Sequence, residues 1–213
     1  MLYKIAALGF VLIYFGLLIG YRSYLLYRRT GINPLRPAVQ AGAKGLNERI
    51  LGLATLVLPV VALNYAFLED NYRYLAPIPY LEGALYKNAG LALSAIGLLW
   101  TFVAQLQMKD SWRIGIEPTS KTPLITGGLY RYSRNPIYLG LIGAFLGFFL
   151  LAPNALSLCF LAIMYSSIAL KVRFEEEFLR QTHGTQFLQY ASQVRRWSLS
   201  MRRCSSPDSK RAW

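Results

Sequence analysis

Four windows of this chain carry no Asp, Glu, Lys or Arg: residues 5 to 21, 50 to 68, 88 to 108 and 135 to 170, which are 17, 19, 21 and 36 residues long. A helix needs ~17 to 25 apolar residues to cross a bilayer, and a helix or a closed barrel is what satisfies the backbone polar groups in hydrocarbon. The first three windows therefore predict single helices. The fourth predicts two, turning at Ala152-Pro153-Asn154. The fold class is all-α: a polytopic membrane bundle of about five spans, closed by a C-terminal helical hairpin and a cytoplasmic amphipathic helix. A content of 54% hydrophobic and 15% charged residues in 213 agrees with this and argues against a soluble domain. Arg22, Arg28 and Arg29 follow the first window without a small-residue cleavage pattern, so it reads as a span rather than a leader.

Charge orients the spans, because basic loops stay on the cytoplasmic side. Residues 22 to 49 hold six basic residues and one acid, residues 109 to 134 five and two, and the chain from residue 171 nine and four. Residues 69 to 87 hold two basic residues, Arg73 and Lys87, against Glu69, Asp70 and Glu82. This places the N-terminus outside and all three basic regions, with the C-terminus, in the cytoplasm. The net charge of +13 is divided among loops separated by spans. It fits anionic lipid headgroups, with no nucleic-acid partner. Cys159, in a span, and Cys204, in the tail, predict no bridge. Nothing in the sequence sets an oligomeric state.

Three units follow: residues 1 to 87, the N-terminal spans with a basic loop; residues 88 to 200, the chemical core; and residues 201 to 213, a tail with little to bury. Gly16 and Gly20 have the small-xxx-small spacing that permits close helix approach, although glycine is also simply common in membrane helices. Pro59 is expected to break the second span, since it lacks an N–H and clashes with the preceding turn. Trp112 and Arg113 leave the bilayer together after the third span. Trp112 reads as an interfacial anchor, and Arg113 as a partner for a carboxylate of a bound ligand. Phe174, Phe178, Leu179, Phe187, Leu188 and Tyr190 recur at helical spacing, predicting an amphipathic helix or helix pair broken near Gly184. His183 reads as a capping or exposed residue.

Chemical specificity concentrates in two places. Residues 122 to 140 form a shaped loop, with Gly127 and Gly128 between Pro123 and Pro136, and carry Tyr130, Arg131, Tyr132, Arg134, Asn135 and Tyr138. Lys171, Arg173, Glu175, Glu176 and Glu177 cluster where the last apolar run ends. Acids at a membrane edge lie in water or answer positive charge. Taken alone, the cluster reads as a self-paired helix end, Lys171 with Glu175 and Arg173 with Glu176. Taken together, the two clusters predict one site at one membrane face.

The order Leu124-Ile125-Thr126-Gly127-Gly128-Leu129-Tyr130, then Arg134-Asn135-Pro136-Ile137-Tyr138-Leu139-Gly140, an apolar hairpin, Glu175-Glu176, His183-Gly184 and Tyr190 resembles the isoprenylcysteine carboxyl methyltransferase family over residues 90 to 196. The resemblance implies a membrane enzyme using S-adenosylmethionine to methylate a carboxyl or other oxygen of a prenylated or otherwise lipophilic acceptor, which enters from the bilayer. It implies that Leu124, Ile125, Tyr130, Asn135, Pro136, Ile137 and Tyr138 hold the cofactor, with Glu175 opposite, and it assigns no metal ligand. Lys171 stands where the family's substrate-facing arginine would be. Asn135 replaces the usual histidine, as in the related phospholipid N-methyltransferases. The acceptor therefore stays open between an ionised oxygen, oriented by Lys171, Arg134 or Arg173, and an amine, with Glu176 as its base. Other classes compatible with this plan are an NADPH-dependent sterol-reductase-like protein and a non-enzymatic membrane scaffold.

Overall fold

The structure, a computed structural model, describes residues 1–31, 42–108 and 123–197. Trp112, Arg113 and the tail from Met201 lie outside the described residues. The described chain is helical and contains no strand. Its principal helices are α1 (Leu2–Thr30), α2 (Gly42–Phe67), α3 (Ala84–Met108), α4 (Pro136–Leu151), α5 (Ala155–His183) and α6 (Thr185–Gln193).

Among the described residues four helices, α1, α2, α3 and α5, are long and apolar enough to cross a membrane, with 29, 26, 25 and 29 residues. The helix between the last two, α4, has 16 residues and is shorter than the four. At 1.5 Å per residue it reaches about 24 Å. Its outward residues, like those of the long helices, leave large apolar side chains such as Leu12, Leu53, Phe67, Ile96, Leu146 and Ile163 uncovered. In a membrane protein those faces meet lipid.

Local chemistry sets the helix ends. Asn154 caps α5 reciprocally with Ser157: the Ser157 N–H donates to Asn154 Oδ1 at 2.8 Å, and the Asn154 N–H donates to Ser157 Oγ at 3.2 Å. Gly184, at φ +52, separates α5 from α6. The polar stretch expected to form a separate amphipathic helix from residue 174 is instead continuous with the span as far as His183; only α6 stands apart. In α2 the regular ladder is interrupted at Thr55-Leu56, four residues ahead of Pro59. The Thr55 carbonyl, deprived of the Pro59 N–H, accepts from Leu58 N at 3.1 Å.

Two features hold the bundle together. An aromatic core joins α1, α4 and α5, with ring centroids 4.9 Å apart for Phe10 and Phe148, 5.6 Å for Tyr14 and Phe145, and 5.0 Å for Phe145 and Phe160. A stripe of small residues joins α3 to α4. A Cβ added to Gly97 would lie 2.5 Å from Ala144 N, and one added to Gly90 2.8 Å from the Gly147 carbonyl oxygen. Gly16 and Gly20 do not serve this purpose. Both are exposed, in a stretch of α1 wound with i→i+5 bonds (Ile13–Tyr21), and a Cβ at Gly16 would meet nothing within 4 Å.

The α3–α4 packing fixes where the loop before α4 sits. Trp100 Nε1 donates to the Pro136 carbonyl at 3.0 Å, and Gln107 Oε1 accepts from Leu129 N at 2.7 Å. Gly128 takes φ +61, a conformation that favours glycine, and a Cβ there would have to displace the Gln107 amide from its bond to Leu129 N.

Candidate active site

The loop presents Tyr130 to the end of α3, turns at Asn135 and enters α4 with Pro136 in its first turn, a position where the missing N–H costs nothing. One turn into α4, the Tyr138 hydroxyl donates to Glu175 Oε1 on α5 at 2.5 Å. Lys171 lies one turn before Glu175 on the same face of α5. Its Nζ donates to both carboxylate oxygens of Glu48 on α2, at 2.7 and 2.8 Å. These groups face a cavity of about 400 Å³. Of the residues expected from the sequence, Tyr130, Arg134, Asn135, Pro136, Ile137, Tyr138, Lys171 and Glu175 line it.

The others are placed elsewhere. Glu176 points away from the cavity into a buried clamp. Arg196 reaches it with Nε at 3.1 Å from both oxygens and Nη2 at 2.6 Å from Oε2, while Arg134 Nη2 lies 3.2 Å from Oε1 and Asn135 Nδ2 donates to Oε1 at 3.2 Å. Turned away from the cavity and occupied by two guanidiniums and an amide, Glu176 is not positioned as a base for a group bound there. Arg173 is exposed on the outer side of α5 and Ile125 is half-buried outside the cavity wall. Leu124 packs against the Phe187, Tyr190 and Val194 cluster of α6 and the residues after it. Arg113 lies outside the described residues. The self-pairing expected within residues 171 to 177 gives way to partners from other elements: Glu48 for Lys171, and Arg134 with Arg196 for Glu176.

The residues that follow α5 lock the loop. Tyr190 donates its hydroxyl proton to the Tyr130 carbonyl at 2.6 Å, Ser133 Oγ donates to the Arg196 carbonyl at 3.1 Å, and Arg134 N donates to the Arg195 carbonyl at 3.0 Å. Burial, with Glu175 and Tyr190 nearby, pushes the Tyr130 hydroxyl far above the usual phenol range. Burial does the same for Tyr190 despite the opposing charge of Arg134. Both stay protonated at neutral pH. The hydrogen bonds to Glu176 raise the pKa of Arg196 further, so Arg196 stays a cation.

Several wall residues come from outside the sequence expectations. Glu48 is the one acid in a basic segment, a signal that could have drawn notice. Gln105 on α3 is 5% exposed; its Nε2 donates to the Leu18 carbonyl at 3.3 Å while Oε1 has no partner among the described residues. Tyr14 and Leu18 of α1, Leu51 and Thr55 of α2, and Met164 and Ile168 of α5 make the rest of the wall chiefly apolar.

Fold and cavity together define an α-helical integral membrane protein with a small-molecule site at one end of its bundle, polar toward the loop and apolar toward α1 and α2. The phospholipid methyltransferase family model matches residues 86–186, the part of the chain that holds nearly all of α3, the loop, α4 and all of α5. That core is of the methyltransferase type, and the protein is a membrane methyltransferase. Over 164 residues it is 25% identical to protein-S-isoprenylcysteine O-methyltransferase B of Arabidopsis thaliana, covering 70% of this chain and 83% of that one. It is 29% identical over 138 residues to a probable protein-S-isoprenylcysteine O-methyltransferase of Oryza sativa subsp. indica, with 63% and 72% covered. Against protein-S-isoprenylcysteine O-methyltransferase A of Arabidopsis thaliana the identity is 35% over 111 residues, with 51% and 56% covered. No solved structure matches the chain.

Proposed function

We propose that this protein uses S-adenosylmethionine to methylate the carboxylate of a lipophilic, prenylated acceptor that reaches the cavity from the bilayer, and that residues 88 to 200 form the methyltransferase core. The observation that carries the reading is the convergence of Tyr138, Glu175 and Lys171 on one cavity whose remaining wall is apolar. The relatives named above, protein-S-isoprenylcysteine O-methyltransferases, support the choice of acceptor class.

The cavity fits the cofactor. Its volume falls in the usual range for small-molecule sites. With Arg134 answering Glu176, the described residues of its wall bring two acidic side chains, Glu48 and Glu175, against one ammonium, Lys171. That excess favours a ligand bearing positive charge, and the faces of Tyr130 and Tyr138 add aromatic surface for it. The unpartnered Gln105 Oε1 offers an acceptor for a ligand N–H or O–H. S-adenosylmethionine, when bound, supplies an electrophilic methyl group on a sulfonium, which an acceptor oxygen takes as the C–S bonding pair returns to sulfur.

The chain's own residues then have mostly positional work. An ionised carboxylate gives up no proton, so no base is needed, and among the described residues the two acids on the cavity wall are engaged: Glu175 accepts from the Tyr138 hydroxyl and Glu48 accepts from Lys171. Tyr138 fixes the Glu175 carboxylate on the cofactor side, Lys171 offers the cation that orients an anionic acceptor, and the apolar walls of α1 and α2 keep water from the reacting oxygen. The charge pattern along the chain supports a site at the cytoplasmic face with the N-terminus outside.

Titration calorimetry of the detergent-purified protein with S-adenosylmethionine and S-adenosylhomocysteine tests the reading. Saturable binding of both is expected, followed by transfer of labelled methyl to a farnesylated cysteine. A folded sample that binds neither, yet is protected from thermal unfolding by NADPH, removes it in favour of a reductase.

A further inference from the structure

Lys171 does not wait empty-handed for an anionic acceptor. Its ammonium is held by both oxygens of Glu48, and the two side chains are only 9% and 18% exposed. Glu48 is set there by the docking of α2 on α5, where its neighbour Asn47 donates Nδ2 to the Ser167 carbonyl at 3.0 Å. The next charged group along the same wall is Glu175, another carboxylate. Among the described residues of that wall, an acceptor carboxylate therefore meets an ammonium already paired with another carboxylate.

We propose that Glu48 is a specificity-determining residue: a resident carboxylate that keeps Lys171 paired until the acceptor's own carboxylate takes its place, so that acceptor recognition is an exchange of one carboxylate for another on the same ammonium. The inference rests on the methyltransferase reading above. It has a physical motive. A buried ammonium left unpaired is costly, and exchange keeps it paired both before and after the acceptor arrives. Discrimination follows, because a neutral amphiphile of the same shape gains nothing from Lys171 and cannot dislodge Glu48. Product release follows by the same logic. Methylation turns the bound carboxylate into an uncharged ester, the ester loses its hold on Lys171, and Glu48 returns to it. The N-terminal helices, which lie outside the segment matched by the family model, thereby gain a part in the site.

The test uses binding rather than turnover: affinities of N-acetyl-S-farnesylcysteine and of its methyl ester for the full-length protein and for Glu48→Gln, which keeps shape and hydrogen bonding but removes the charge. The acid is expected to bind about tenfold more tightly to Glu48→Gln than to the unchanged protein, with the ester unchanged, since the competing carboxylate has gone. Lys171→Arg supplies a second variant should Glu48→Gln not fold. A guanidinium has donors enough for two carboxylates, so the acid should gain over the ester with Glu48 still in place. An acid-to-ester ratio unmoved in both variants, in protein that binds S-adenosylhomocysteine normally, overturns the role of Glu48 and leaves the methyltransferase reading standing. Failure of the unchanged protein to bind S-adenosylhomocysteine sinks that reading instead. Weaker binding of phosphatidylethanolamine to Glu48→Gln, with the acid unaffected, also overturns the proposal and makes Glu48 the partner of an amine.

Discussion

Three consecutive acids at the end of the last span do three different things, because successive residues of a helix point about 100° apart. Glu175 faces the cavity and accepts from Tyr138, Glu176 is clamped by Arg134 and Arg196, and Glu177 lies outside, accepting from Gln181 at 3.0 Å. Two predictions belong to this division. Tyr138→Phe removes a hydrogen bond to a charged group and should weaken S-adenosylmethionine binding about tenfold, while Glu175→Gln should abolish it; calorimetry on folded protein reads both. Glu176→Gln strips a shared partner from the half-buried Arg134 and from Arg196, whose side chain is 38% exposed, and should destabilise the fold by ~1 to 3 kcal/mol, read as a drop in thermal midpoint in detergent. His183→Ala should leave both quantities unchanged. The cavity-lining members of the loop, and Lys171 with Glu175, were legible as a set from residue type and order. The role of Glu176 was not, since a run of acids does not declare which neighbour each will meet. Glu48 stood out as an isolated acid in a basic segment, but its role was not legible because its partner lies 123 residues away.

At the scale of elements, the packing of α3 on α4 holds the site in register. Both of its walls begin there: α3 ends in Gln105 and Gln107, and α4 opens with Pro136 and Tyr138. A Cβ at Gly97 would press on the Ala144 backbone and one at Gly140 would lie 2.5 Å from Thr101 Oγ1. Backbone cannot yield as a flexible side chain can, so Gly97→Ala should cost ~1 to 3 kcal/mol and lower S-adenosylhomocysteine affinity with it. Gly16→Ala, where nothing lies nearby, should change neither. The same small-residue spacing occurs in α1 and in α4, which shows the limit of reading it from sequence. Spacing says that a helix can be approached closely; which helix approaches is decided by the whole bundle. The break in α2 was legible for the opposite reason. Pro59 acts on the carbonyl four residues before it, and that effect needs no partner to be known.

Across the whole molecule, helix length sets the depth of the site. From its turn with α5, α4 reaches back about 24 Å, which brings Tyr138 level with Glu175 near the edge of a hydrocarbon layer ~30 Å thick. The longer α5 continues past that level, carrying Arg180 and His183 out to the surface. A prenylated acceptor can then keep its tail among the apolar walls of α1 and α2 while its charged end lies at the height of Lys171. The acid-bearing connector of residues 69 to 83 lies at the far end of the bundle, where the Ile78 N–H donates to the Pro153 carbonyl at 2.9 Å. The basic flanks Arg22, Arg49 and Arg134 belong to the site end, which is the basis for the proposed cytoplasmic placement of that end. The expected outcome is asymmetric labelling: with Cys159 and Cys204 replaced by serine, Glu82→Cys should react with an impermeant maleimide on intact cells, whereas Arg180→Cys should react only after the membrane is opened. The reverse pattern would place the site on the outer face, where an acceptor and cofactor made in the cytoplasm could not meet it, and the proposed substrate class would fall with the topology.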